Sequence, residues 1–130
     1  MIGKALERLR ATTREVHARI DSGRYARAAI DGTLPISRYA SLLRALHVVH
    51  LELEHAVETV ADARLRAVYA HGAERRRRLE QDLAYLQADR HGVDSAVLHA
   101  TVLGQQLRLD TRQSPAALFG YMYVLEGSQL

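Results

Sequence analysis

Apolar residues recur at three- and four-residue steps along most of the chain, a spacing that places them on one face of a helix. This pattern predicts a first helix over residues 2–20, and the turn-forming residues 21–23 predict its end. A second stripe predicts a long amphipathic helix from Arg38 to about Val60, and its members are Tyr39, Leu42, Leu43, Leu46, Val49, Leu53, Val57 and Val60. No segment alternates cleanly at period two, so we expect an all-α fold.

Turn-forming and capping residues divide the rest of the chain into shorter elements. Ser37 is the N-cap that we expect for the long helix, and Asp94-Ser95 should cap a later one. Pro115 favours a helix start because its missing amide hydrogen is not needed in the first turn. The elements predicted in this way are a short segment over residues 24–30 and helices over 64–70, 73–88 and 95–107, with a last helix running from 114–115 towards 130.

The length of 130 residues allows a single domain with one core, and we interpret residues 1–130 as that domain. The chain has no cysteine, which excludes disulfides, thiolate zinc sites, cysteine-held iron–sulfur clusters and cysteine nucleophiles and leaves histidine as the soft metal ligand. The net charge of +3 is a hint of an anionic ligand. The sequence has no apolar run of membrane-spanning length and no signal-like N-terminus, so we expect a cytoplasmic protein without a membrane partner.

The run from Arg75 to Arg78 is a concentrated patch of positive charge. Glu74, Glu80 and Asp82 surround it at spacings that allow ion pairs along a solvated helix face. We therefore expect no nucleic-acid partner.

Three of the seven histidines, His47, His50 and His55, lie on the long second helix. His50 with Glu54 could bind a metal from one face, and Glu52-x-x-His55 is half of the pattern found in di-iron carboxylate bundles. Such bundles require a second Glu-x-x-His, which this chain lacks. Half-buried helix histidines explain the cluster more simply.

His17 has neighbours that are better suited to an axial metal ligand. Helical spacing puts Thr13, His17 and Asp21 in line, with Arg10 and Arg14 one turn back. This arrangement suits a ligating histidine whose second ring nitrogen donates to a carboxylate, and the arginines could hold carboxylates of the ligand. The alternative is a partly exposed histidine on an amphipathic helix.

The closing apolar segment contains a glycine at a helix-interior position. Gly127 lies four residues after Tyr123 and shares its predicted face, although a mid-helix glycine costs about 1 kcal/mol relative to alanine. Close approach of the backbone to a flat ligand is one reason to accept that cost. Tight helix packing or a bend at Gly127 is the other interpretation.

Two segments resemble heme oxygenases, in particular the bacterial type found beside bacteriophytochromes. Residues 9–17 (LRATTREVH) are similar to the family's proximal helix, and residues 123–130 (YVLEGSQL) are similar to the start of its distal helix. The resemblance implies an all-α multi-helix bundle with heme between the proximal and distal helices. Because the family continues past this point, it also implies a chain that ends before the family's C-terminal helices.

The resemblance further implies a role for each matching residue. The heme-binding set would be Arg10, Thr13, Arg14, His17, Asp21, Tyr123, Gly127 and Ser128. Within it, His17 would be the proximal iron ligand and Asp21 its acidic partner. Gly127 and Ser128 would be the catalytic positions, because they match the backbone that crosses the distal face and holds its water network.

The implied reaction opens heme b, which is both substrate and cofactor, with O2 and electrons from a reductase or ferredoxin. Its products would be biliverdin, CO and ferrous iron, with a bacteriophytochrome as the client for the biliverdin. An early chain end would expose apolar faces, so we also expect homo-oligomers through them.

Two other functions compete with this interpretation. The first is a non-catalytic heme-binding or self-associating helical module derived from a heme oxygenase. The second is a heme-oxygenase-like protein with another substrate, such as a di-iron oxidase or a thiamin-degrading relative. The missing second Glu-x-x-His and the absence of cysteine disfavour this second alternative.

Overall fold

The computed structural model describes residues 2–69 and 72–126 of the chain. Within these ranges it contains seven α-helices and no strand, which confirms the predicted all-α fold. The helices are α1 (Ile2–Asp21), α2 (Arg24–Ile30), α3 (Ile36–Thr59), α4 (Ala63–Val68), α5 (Gly72–Tyr85), α6 (Ser95–Gln113) and α7 (Ala117–Glu126). None of the helices in these ranges combines the length and the apolar character that a membrane crossing requires.

The chain divides into two compact units, residues 1–36 and residues 37–130. The first unit consists of α1 and α2, which are joined at Ser22-Gly23 by the turn that the sequence predicts. α2 ends at a turn in which Gly32 adopts a left-handed φ of +69°, a conformation that glycine reaches without strain. None of the side chains described in residues 3–36 is buried.

The second unit has its core between α3, α6 and α7. Leu53 of α3, Leu107 of α6, and Leu118 and Met122 of α7 are fully buried and belong to one apolar cluster. A smaller apolar cluster joins α3 to α5. Burying one such side chain contributes about 1.5–3 kcal/mol, so these contacts hold α7 firmly against α3 and α6.

α3 follows its predicted apolar stripe for most of its length. Leu43, Val49, Leu53 and Val57 are buried as expected, whereas Tyr39 is 42% exposed because it lies in the first turn of α3, before the core begins. His47 and His50 are also buried on this face, which is deeper than the half-buried positions that the sequence predicts. The stripe therefore includes two polar side chains that require partners in the interior.

The start of α3 differs from the predicted one. Ser37 is not an N-cap, because the helix already begins at Ile36. Pro35 presets a helical φ and has no amide hydrogen to satisfy, so a helix can begin directly behind it.

Asp94 caps α6 as predicted and also joins α6 to α3. Its Oδ1 atom accepts the Val97 amide at 3.0 Å. Its Oδ2 atom accepts the Ser41 hydroxyl at 2.6 Å and the Arg44 guanidinium at 2.9 Å. These hydrogen bonds, that from Ser41 first among them, hold the pKa of Asp94 well below its usual range.

The junction between α6 and α7 also differs from the prediction. α6 continues past Leu107 to Gln113, because Leu107 is a core residue in mid-helix. Pro115 heads a tight turn in which its carbonyl accepts the Leu118 amide at 3.1 Å, and α7 begins only at Ala117. The predicted continuation to Leu130 lies outside the described residues beyond Glu126.

Candidate functional site

α1 carries the first group of predicted site residues. It places Thr13, His17 and Asp21 on successive turns of one face, as the sequence predicts. The Thr13 hydroxyl donates to the Leu9 carbonyl at 2.8 Å, so this donor is used within the helix. His17 and Asp21 are exposed, and neither side chain forms a hydrogen bond with the other or with another described residue. Both ring nitrogens of His17 are thus available to a ligand.

The surroundings of His17 combine apolar and cationic side chains. Val16 is 54% exposed and Ile20 is 63% exposed, although both are aliphatic. Arg14 and Arg10 are exposed one and two turns before His17 on α1. A surface with a free imidazole, an open apolar patch and two guanidinium groups suits a largely apolar ligand that carries acidic substituents.

α7 carries the second group of predicted site residues. Tyr123 is half-buried in the last turn of this helix, one residue after the buried Met122. Gly127 and Ser128 lie outside the described residues. The burial of Met122 fixes the rotation of α7 and therefore the direction in which Tyr123 leaves the helix.

A hydrogen-bonded clamp, formed by Asp110, Tyr121 and Gln106, holds α7 on α6. The Tyr121 hydroxyl donates to Asp110 Oδ2 at 2.6 Å, and the Gln106 amide donates to Asp110 Oδ1 at 2.7 Å. Burial and the Asp110 carboxylate raise the pKa of Tyr121 to about 12, while these two donors lower the pKa of Asp110. Tyr121 lies only two residues before Tyr123, so the clamp also positions the predicted site.

This clamp was not predicted from the sequence. Neither Asp110 nor Tyr121 belongs to a sequence motif. These two side chains meet only because the turn after α6 brings α7 back along α6. The sequence pattern placed Tyr121 on the last predicted helix but left Asp110 beyond the predicted end of the preceding one at Leu107, so it gave no signal for the pair.

A polar network between α3 and α5 includes His47, one of the three α3 histidines considered above as metal ligands. His47 Nε2 donates to Glu80 Oε1 at 3.0 Å, and Arg76 donates to both Glu80 and Glu54, at 3.0 and 2.7 Å. The hydrogen bond from His47 is the main reason that the pKa of Glu80 is lowered. Burial, aided by nearby positive charge, lowers the pKa of His50 to about 4, which keeps this imidazole neutral near pH 7.

The two residues of the Glu52-x-x-His55 pattern on α3 lie in different environments. Glu52 pairs with Arg108 of α6 at 3.1 Å, whereas His55 is exposed. Across the described ranges, no three histidine, aspartate or glutamate side chains are grouped so that they could hold a metal ion. Glu52, Glu54 and Glu80 act there as partners of arginines.

The arginine run on α5 forms the ion pairs that the sequence predicts. Arg78 donates to Glu74 at 2.6 Å along the exposed helix face. Arg76 differs from the expectation, because it also reaches across to Glu54 of α3.

Comparison with known proteins decides the family. The family model for heme oxygenase matches residues 4–130 of this chain. The chain belongs to the heme oxygenase family. The match includes residues 9–17 and 123–130, the two segments whose sequences resemble the proximal and distal helices of heme oxygenases. No curated protein and no solved structure shows a significant match.

Membership of the heme oxygenase family establishes heme as the ligand class and heme degradation as the general function. The exposed face of α1 fits that ligand class. Heme has a broad apolar plane, two carboxylate groups and an iron atom that accepts a neutral imidazole. On α1, Val16 and Ile20 match the apolar plane, the two arginines match the carboxylates, and His17 matches the iron.

Proposed function

We propose that this heme oxygenase binds heme through His17 and opens the macrocycle to biliverdin, CO and ferrous iron. The reaction would consume O2 and electrons from a reductase or a ferredoxin. The observation that carries the proposal is the exposed imidazole of His17 beside the open apolar patch of Val16 and Ile20, in a chain that matches the heme oxygenase family over residues 4–130.

On the proximal side, His17 supplies one ring nitrogen to the iron. Asp21 lies one helical turn further along and can accept a hydrogen bond from the other ring nitrogen, which fixes the tautomer and raises the basicity of the ligand. Arg10 and Arg14 bind the propionates through charge-assisted hydrogen bonds. Thr13 contributes its methyl group to the contact face, because its hydroxyl is bonded to Leu9.

On the distal side, we assign the resembling residues to three tasks. Tyr123 donates to a propionate, and the Tyr121–Asp110 hydrogen bond limits the movement of the helix that carries Tyr123. Gly127 has no side chain, so its backbone can approach the ligand closely. Ser128 donates or relays a proton through its hydroxyl. When bound, heme supplies the iron that activates O2 and the ring that is cleaved.

A hemin titration of the intact chain tests the ligand assignment. We expect saturable binding at one heme per chain, with a Soret band typical of axial histidine. In His17→Ala this band should shift and the affinity should fall, and added imidazole should restore the spectrum. The matched control is His91→Ala, which removes another exposed histidine. A Soret band that is the same in His17→Ala and in the wild type would refute His17 as the ligand.

Turnover with ascorbate or reduced ferredoxin tests the reaction. Biliverdin absorbance and CO release should appear in the wild type and be lost in His17→Ala. Heme uptake through His17 without ring opening would instead support the non-catalytic binding module.

A further inference from the structure

A cleft of about 340 Å³ lies in the second unit, where the ends of α3 and α6 meet the turn before α7. Its polar lining consists of His55, Thr59, Arg108, Thr111 and Arg112. The remaining lining residues are small or aliphatic, and none of the lining residues carries a carboxylate. This volume falls at the lower end of the range for small-molecule sites.

Two arginines give the cleft its positive charge. Arg108 and Arg112 are exposed one turn apart on α6. Arg108 Nε lies 3.1 Å from the Glu52 carboxylate, whereas Arg112 forms no ion pair with any residue in the described part of the chain. The Glu52 carboxylate offsets the charge of Arg108 only, so Arg112 leaves an uncompensated positive charge at the cleft, which an anion there would neutralise. Guanidinium groups also match carboxylate and phosphate groups with paired N–H donors.

Thr111 adds an unused hydroxyl to the wall of the cleft. Its Oγ1 atom is buried and has no hydrogen-bond partner among the described residues. The helical residues Thr12, Thr13 and Thr101 each donate to the carbonyl four residues earlier, at 2.8 Å. Thr111 makes no such bond to Leu107. A buried hydroxyl normally has a partner. Because Oγ1 exposes no surface to the cleft as it stands, a rotation of the Thr111 side chain about its Cα–Cβ bond would bring this donor to a ligand.

We propose that this cleft binds a small organic anion through a carboxylate or a phosphate group. Arg112 and Arg108 donate to the anion, Thr111 supplies a neutral donor, and the aliphatic part of the lining accommodates the carbon skeleton.

This anion site shares no lining residue with the heme-binding set of the proposed function. The cleft borders the turn before α7, whereas Tyr123 lies in the last turn of that helix. The ten residues of α7 rise by about 15 Å, which separates the cleft from Tyr123 along the helix. Anion binding can therefore be tested in the absence of heme.

Isothermal titration calorimetry of the heme-free full chain tests the proposal. The probes are inorganic phosphate and succinate, each at constant ionic strength with chloride as the counterion. Tighter saturable binding of phosphate would identify the ligand as a phosphate compound, and tighter binding of succinate would identify it as a carboxylate. Absence of saturable binding with both probes would overturn the proposal.

Three variants show whether binding occurs in this cleft. Arg112→Gln should weaken binding by about tenfold, the usual effect of losing one charge-assisted hydrogen bond. Thr111→Val keeps the side-chain volume and should weaken binding severalfold without lowering the melting temperature. Arg78→Gln removes the same charge from the exposed face of α5 and should leave the affinity unchanged. Equal losses in Arg112→Gln and Arg78→Gln would indicate unspecific charge attraction and refute the site.

Hemin separates this proposal from the proposed function. Saturating hemin should leave the affinity for the probe unchanged, whereas competition would show that these arginines bind heme propionates. Because the titration uses heme-free protein, failure of the His17 assignment would not affect it.

Discussion

Two helix-interior glycines of the second unit should respond in opposite ways to substitution by alanine. Gly104 is buried in α6, and a Cβ atom there would lie 2.7 Å from Glu52 Cγ of α3. Gly120 is exposed in α7, and a Cβ atom there would meet nothing within 4 Å. Alanine is favoured over glycine in a helix interior by about 1 kcal/mol, so the surroundings decide the sign of the net effect.

The structure sets the expected size of each effect. Gly120→Ala gains helix propensity without a clash and should raise the free energy of unfolding by about 0.5–1 kcal/mol. Gly104→Ala has the same gain but forces Glu52 to move, which disturbs its 3.1 Å ion pair with Arg108. Overpacking of a tight contact costs about 1–3 kcal/mol. The net result for Gly104→Ala is a loss of roughly 0–2 kcal/mol.

Urea unfolding followed by circular dichroism at constant pH measures both free energies. A third comparison isolates the cause, because Glu52→Ala removes the Cγ atom that the new methyl group would meet. In that background Gly104→Ala should stabilise the protein by as much as Gly120→Ala does. If Gly104→Ala already stabilises the otherwise unchanged chain to that extent, the close approach of α6 to α3 does not constrain position 104.

Two further predictions concern titrating groups. Since the pKa of Tyr121 is raised to about 12, the native state retains its phenolic proton above pH 10, where the unfolded chain releases it, and stability falls as the pH rises towards 12. Absorbance titration at high pH should show one late-ionising tyrosine that is missing in Tyr121→Phe; an unchanged titration would contradict the clamp. The pKa of His50 is lowered from 6.5 to about 4, so stability should fall as the pH drops through this window. The urea midpoint should decrease less between pH 7 and pH 5 in His50→Leu than in the wild type. An equal decrease in both proteins would contradict the lowered pKa of His50 as the cause.

The fold was largely predictable because its signals are local. The three- and four-residue spacing of apolar side chains identified α1 and α3, and Asp94 was correctly predicted to cap α6. The errors occurred where neighbouring elements decide a boundary. α6 continues past Leu107 because that leucine packs in the core, and Pro115 begins a turn instead of a helix.

The candidate site was predictable only in part. The alignment of Thr13, His17 and Asp21 follows from helical geometry, so spacing alone was sufficient to place them on one face. Their roles toward heme rest on the family resemblance, which the match over residues 4–130 supports at the level of the family. The partners of the α3 histidines could not be foreseen, since Glu80 is 33 residues distant from His47.

By itself, the sequence determined the helical class, the heme oxygenase family and the exclusion of cysteine chemistry, because periodicity, motifs and composition are properties of the chain. Only the tertiary structure decided which polar groups became partners. It paired Tyr121 with Asp110 and placed Glu52 against Gly104. It also left the hydroxyl of Thr111 in a cleft beside two arginines. Such contacts form between side-chain atoms of neighbouring helices that lie a few ångströms apart. Packing sets these distances, and the spacing of residues along the chain does not encode them.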